Sequence, residues 1–244
     1  MKLLQAPTPA GPGMTRVRLT RPPSLREWAQ NVEPARWRDQ PVSGLALSYA
    51  QAAAAVLRSM TEAEVAAPGS GGKLLPPYLF LWRHHIELAL KSVLKTLCED
   101  PVAWTAATGC TLPAGMAGAA VRGHSLERLW NLASLPITAV WSRATHLWRL
   151  PEMTPAEADD LIRQLHRIDP NGQGARYDRD TDRSPTMLGV SLVDLEWTDG
   201  NLYGIAVFLA WAGAEIGAVM GVRPSEAEAA AHRQAAMEAG AEED

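Results

Sequence analysis

Cysteine is nearly missing from this chain: Cys98 and Cys110 are the only two in 244 residues, and no CxxC pair exists. That excludes a disulfide framework and gives no zinc knuckle, so a reducing compartment is the plain reading. An excess of positive charge is missing too. The formal net charge is −4, so no global field advertises nucleic acid or an anionic membrane. Met1 to Gly13 hold one basic residue and no apolar run, so no secretion signal is expected and the expected location is cytoplasmic. No P-loop, GxGxxG, HExxH or GxSxG occurs, and no internal repeat is visible. Metal is not expected either. His84 and His85 are adjacent on a helix and point about a quarter-turn apart, while Asp159 and Asp160 fall on a polar helix face. The expected cofactor and metal content is none.

What is present is ordinary globular material, 47% apolar and 20% charged, enough for one domain with a sizeable core. Charge is unevenly spread. Residues 1–38 carry Lys2 and six arginines against Glu27 and Glu33, and residues 225–244 carry six acids against Arg233. Two solvated tails explain this most simply, with a nucleic-acid arm and a competing acidic mimic as the alternative. The expected organisation is an extended or disordered arm over 1–23, a single helical domain over 24–223, and a polar helix with an acidic tail over 224–244.

The pattern along the chain is helical. Ser24-Leu-Arg-Glu27 is a capping box, and Trp28 and Trp37 point to a short docking helix. Leu45 to Ala67 lacks proline and reads as a helix that PGSGGK then breaks. Pro76-Pro77 opens a second helix running to about Glu99. Its apolar positions Leu79, Trp82, Ile86, Leu90, Val93 and Leu97 keep helical spacing. Residues 101–123 read as a loop, His124 to Leu135 as a short helix, and Pro136 as the first turn of another. Thr154-Pro-Ala-Glu157 starts a helix ending near Ile168, and residues 169–185 read as a polar loop insertion. Val190 to Trp197 partly alternates and reads as a short strand. Asn201 to Val222 is a long apolar helix, and Pro224 opens a last polar one. The fold class is therefore all-α, an antiparallel helical bundle with at most a short strand or hairpin.

Residues 201–222 are long enough to span a bilayer, and Gly213, Gly217 and Gly221 form a GxxxGxxxG pattern. Glu215 lies inside, however, and no partner segment or basic flank accompanies it. The centre of a bundle is the expected place, wrapped by helices of this chain or of a dimer mate, and no membrane partner is expected.

Arg83, Glu87, Lys91 and Lys95 recur every four residues and make one narrow charged stripe on an otherwise apolar helix. Such a stripe must satisfy its charges internally or face a cleft. Its bland reading is a ladder of ion pairs. Two other segments carry chemistry. Gly123-His-Ser-Leu-Glu-Arg-Leu-Trp130 sets His124 at a helix start, where a neutral imidazole can cap. Ile168-Asp-Pro-Asn-Gly-Gln-Gly-Ala-Arg-Tyr177 is a tight turn delivering Arg176 and Tyr177.

In this order, Arg83-His84-x-x-Glu87-Leu88-x-Leu90-Lys91, then Gly123-His124-x-Leu126-x-x-Leu129-Trp130, then Asp169-Pro170 with Arg176-Tyr177, the chain resembles a bacterial HEPN-like group of defence and toxin systems, over roughly residues 43–220. The resemblance implies an antiparallel bundle that often dimerises, with polar residues lining a cleft. In active members an Arg and a His separated by four to six residues cut RNA without metal, His moving the 2′-hydroxyl proton and Arg steadying the phosphorane. This chain departs from that pattern at all six histidines; Arg143–His146 and Arg163–His166 have only two residues between them. The expected function is therefore a non-catalytic RNA- or nucleotide-binding or assembly module, partnered by a second copy or a defence-complex protein. The alternative is a metal-independent endoribonuclease. The candidate catalytic residues are His84, His124, Arg83 and Arg176, and the candidate ligand-binding residues are Glu87, Lys91, Asp169 and Tyr177. Arg83, Glu87, His124, Arg176 and Tyr177 are expected to converge on one cleft, with Glu87 holding an arginine.

Overall fold

The structure is a computed structural model that describes residues 42–116, 118, 122–144, 150–172 and 195–221. All of them belong to one unit beginning at Val42. Among the described residues there are six α-helices, one 3-10 turn and no strand: α1 Val42–Ala66, the 3-10 turn Gly71–Leu74, α2 Leu75–Glu99, α3 Pro101–Thr108, α4 Leu126–Arg143, α5 Pro155–Ile168 and α6 Leu195–Val219.

α1 and α2 form an antiparallel hairpin. As partners on α1 rise from Ala46 through Tyr49 to Met60, those beyond it fall from His85 through His84 to Gly71. The connection is tied down by Glu64, whose carboxylate accepts from the Gly69 and Gly71 amides at 2.7 and 3.1 Å. Gly71 must be glycine here, because a Cβ would sit 2.7 Å from the Met60 carbonyl. Pro76 and Pro77 fall in the first turn of α2, where a missing N–H costs nothing. α2 is the central element, packing on α1, α4 and α6. Tyr78, Ile86, Leu90, Leu94 and Leu97 are fully buried along it. From α4 come Leu126, Leu129, Ala133 and Ile137, and from α6 Phe208, Ala212 and Ile216.

Four expectations about elements are corrected. Residues 101–108 are helical, not loop: Asp100 caps by accepting from the Ala103 amide at 2.8 Å, Pro101 takes the first turn, and Gly109 ends the helix at φ +73°. Residues 126–143 are one helix with Pro136 inside, not two. Pro136 itself is buried, so core packing outweighs the hydrogen bond it removes. Ser125, not His124, caps this helix, accepting from the Arg128 amide at 3.3 Å. Finally, Leu195–Trp197 begin α6 rather than ending a strand; the rest of that segment lies outside the described residues. The tryptophan helix near residues 24–38, the loop after 172 and the C-terminal polar helix also fall outside them.

α6 is long and apolar enough to cross a membrane by length and composition alone, and a third of its apolar window is buried inside the protein. One side, including Leu202, Ile205, Phe208 and Leu209, lies in the core. On that side the Tyr78 hydroxyl of α2 donates to Asp199 at 2.6 Å. Burial, then the Asp199 hydrogen bond and charge, push this phenol far above its ordinary range.

Candidate functional site

The charged stripe of α2 points inward. Arg83 is 3% exposed and Glu87 2% exposed, so both ions have been taken out of water and must be met inside. Every nitrogen of Arg83 is met by a different element. Nη1 donates to Glu87 Oε2 one turn along α2, at 3.0 Å. Nη2 donates to the His124 carbonyl just before α4, at 2.7 Å, and Nε donates to the Asp169 carbonyl just after α5, at 3.0 Å. The Asp169 carboxylate adds an ionic contact at 3.4 Å. Gly172 lies directly against the guanidinium. It has φ +71°, and a Cβ there would come 2.6 Å from Nη1 and 2.9 Å from Cζ. The Asp-Pro-Asn-Gly turn therefore closes over Arg83, and only glycine permits the approach.

Glu87 gathers the other half. Its Oε1 accepts from Lys91 Nζ at 2.8 Å and meets His124 Nδ1 at 2.9 Å. Burial acts against its charge, but the Lys91 hydrogen bond and charge, the His124 hydrogen bond and the Arg83 charge outweigh it. The carboxyl is held below its usual range. An ionised carboxylate only accepts, so Nδ1 of His124 carries a proton and donates it to Glu87, with Nε2 on the far side of the ring. The His124 side chain is 68% exposed. A buried carboxylate thus orients a surface imidazole, the arrangement that fixes a histidine as a base or a ligand.

Three segments widely spaced in sequence converge here. Of the residues expected to converge, Arg83, Glu87 and His124 meet, and Lys91 and Asp169 join them. The meeting place is a closed ion cluster, however, with only the His124 ring well exposed. His84 is placed elsewhere. One residue on from Arg83 it stands about 100° around the helix, and its ring packs at 4.4 Å from Tyr49 and 5.7 Å from Phe80, on the α1 side. Arg176 and Tyr177 lie outside the described residues.

A second network adjoins the first, and the motif reading misses it. Arg163 of α5 bonds Asp159 through Nε at 3.0 Å, Glu127 of α4 through Nη1 at 2.8 Å and Asn131 through Nη2 at 2.9 Å. Trp130 Nε1 donates to the same Asp159 at 2.6 Å. His166 Nε2 lies 3.5 Å from Glu127, while its Nδ1 is buried without a hydrogen bond. Burial holds this imidazole below its ordinary pKa, with Arg83 and Arg163 adding to the effect against Glu127 and Asp169. Only the i,i+4 spacing of Asp159 and Arg163 is visible in the sequence. Among the described residues no group of three or more His, Cys, Asp or Glu is arranged to hold a metal ion.

Compared with known proteins, the chain matches no family model, no curated protein and no solved structure. The HEPN-like resemblance stands on its three motifs alone.

Proposed function

We propose that this chain is a HEPN-like helical module of a bacterial defence or toxin-type system that binds RNA or a nucleotide, or docks into an assembly, without catalysis. The observation that carries this reading is the closure of Arg83. A phosphate clamp needs free N–H groups facing solvent, whereas this guanidinium is 3% exposed with Nη1, Nη2 and Nε all engaged. Arg83 and Glu87 act as a brace. His124, standing on that brace and open to solvent, is the contact for a ligand's phosphate or base edge.

One observation favours the second reading, a metal-independent endoribonuclease. The Glu87–His124 pair holds the imidazole by Nδ1 and turns Nε2 away from the carboxylate, the orientation that a general base at a 2′-hydroxyl needs. One experiment separates the two. Labelled structured RNA is incubated with the protein in EDTA, and binding and chain length are followed together. Retention of intact RNA, weakened by His124→Ala and falling with salt, is the expected result. Cleavage in EDTA that His124→Ala stops would move the assignment to the nuclease. Absence of any binding at low salt would remove RNA from both.

A further inference from the structure

One residue beyond His124, the first turns of α4 and the segment around Gly115 border a cavity of about 290 Å³. Its wall carries Ser125, Glu127, Arg128 and Asn131 as polar groups, with Leu132 and Gly115 as apolar surface. That volume lies at the small end of small-molecule pockets and suits one planar ring system rather than an extended ligand. Two of the polar groups are held by Arg163 of α5. Nη1 donates to Glu127 Oε1 at 2.8 Å and Nη2 to Asn131 Oδ1 at 2.9 Å. Ions this exposed, 34% for Arg163 and 46% for Glu127, contribute little as a brace between helices. What the guanidinium does fix is orientation. With Oδ1 of Asn131 taken, the amide has its Nδ2 hydrogens to offer a ligand. The Glu127 carboxylate is the reverse and offers acceptors alone. Its Oε2 lies 3.5 Å from His166 Nε2, too long for a good hydrogen bond.

We infer that this cavity receives a guanine base, from a free guanine nucleotide or from a guanosine in an RNA strand, and that Glu127 and Asn131 read it. The inference deepens the reading of His124 as a ligand contact and rests on it. The order of donors and acceptors decides the base. The pairing edge of guanine presents two adjacent N–H donors, at N1 and the 2-amino group, beside the O6 acceptor. A carboxylate with lone pairs left on both oxygens takes the two donors, and the Asn131 amide donates to O6. Adenine and cytosine offer one amino donor beside an acceptor, and uracil offers one N–H between two acceptors. Each of these leaves a carboxylate oxygen unmatched. Arg128, exposed at the cavity, supplies a guanidinium plane for the base to stack on. A phosphate inside the cavity would face the Glu127 charge, so the anionic end of the ligand lies outside it. His124, next to Ser125 and 68% exposed, is the group left to meet that end.

Calorimetric titration of the full chain at low salt tests this with GMP, AMP, CMP, UMP and IMP, beside a short oligouridine and the same strand carrying one guanosine. GMP is expected to bind at least about 10-fold more tightly than AMP, CMP or UMP, the discrimination of one bidentate base contact. IMP lacks the 2-amino group and should lose most of that advantage. Glu127→Gln keeps a carbonyl for Arg163 but turns one acceptor into a donor, and should bring GMP to within about 2-fold of AMP. His124→Ala should instead weaken every nucleotide alike. A like preference for the guanosine-bearing strand, without binding of GMP, assigns the site to RNA; GMP binding with no preference between the strands assigns it to the free nucleotide. Equal binding of all bases, equal binding of GMP and IMP, or a preference that survives Glu127→Gln overturns the proposal and leaves the His124 reading standing. If Glu127→Gln lowers the melting temperature, the GMP-to-IMP ratio on the unaltered chain decides. Failure of every nucleotide and both strands to bind overturns the two readings together.

Discussion

At the scale of single residues, the cluster is an ion network closed away from water, and its substitutions separate a brace from a binding group. Removing Arg83 leaves the Glu87 carboxylate buried with Lys91 and His124 alone. Arg83→Ala is therefore expected to cost about 3–5 kcal/mol, read as a lowered midpoint in denaturant melts. Were Arg83 a ligand contact instead, the variant would lose binding and keep its melt. Gly172 gives a sharper comparison. Gly172 and Gly109 share nearly the same positive φ, +71° and +73°, but a Cβ at Gly109 meets nothing within 4 Å. Gly109→Ala thus carries only the backbone penalty of about 1–2 kcal/mol. Gly172→Ala carries that penalty and a collision with a guanidinium locked by three hydrogen bonds. Parallel melts should show it losing at least about 1 kcal/mol more. Equal losses would mean that Arg83 moves aside freely, and the brace reading would fail with it.

At the scale of elements, local chemistry fixes the start of α5 and misleads at Pro136. Thr154 and Glu157 form the reciprocal capping box that their spacing promises: the Thr154 hydroxyl accepts from the Glu157 amide, and the Glu157 carboxylate accepts from the Thr154 amide. Thr154→Ala should lower stability by about 1 kcal/mol in the same melts. An unchanged midpoint would show that packing of Ala158, Ile162 and Leu165 alone holds the start of α5. Pro136 reads in the sequence as a first-turn residue, yet it lies within α4, because the buried row Leu129, Trp130, Ala133, Ile137, Val140 continues through it. That row was visible only as scattered apolar residues, and its continuity depends on what packs opposite. The charged stripe of α2 was legible because few polar residues interrupt that helix. The partners of its arginine were not: two of the three are backbone carbonyls, which no residue type announces. His124 was legible as special but misread as a cap, since Ser125 beside it does that work.

At the scale of the whole molecule, the buried ionisable groups make stability depend on pH, and the sign follows from which form each group holds. His85 is buried in the α1–α2 hairpin, donating Nδ1–H to the Ala46 carbonyl at 2.7 Å, and its Nε2 is buried without a hydrogen bond. Burial, only partly opposed by the Ala46 bond, lowers its pKa from 6.5, and burial first of all lowers His166 as well. Both rings are therefore neutral in the fold at a pH where the unfolded chain already binds protons. Above 6.5 neither contributes a penalty. Below it, each removes up to about 1.4 kcal/mol per pH unit until the pH reaches its lowered folded value. The carboxylates act next. Glu87 and Asp159 have folded pKa values below their ordinary 4.5 and 3.8, so their contribution is present above those values and is lost as pH falls through the lowered ones. The expected melting profile is flat from about pH 8 to 7, declines from about 6.5, and declines further in the carboxylate range. His85→Asn keeps a donor near the Ala46 carbonyl but cannot titrate. It should start from a lower midpoint and show a shallower decline between about pH 6.5 and 5. A wild-type midpoint that rises on acidification through that window, or an Asn variant with the same slope, would show that these imidazoles take up protons within the fold and that the hairpin opens to let them.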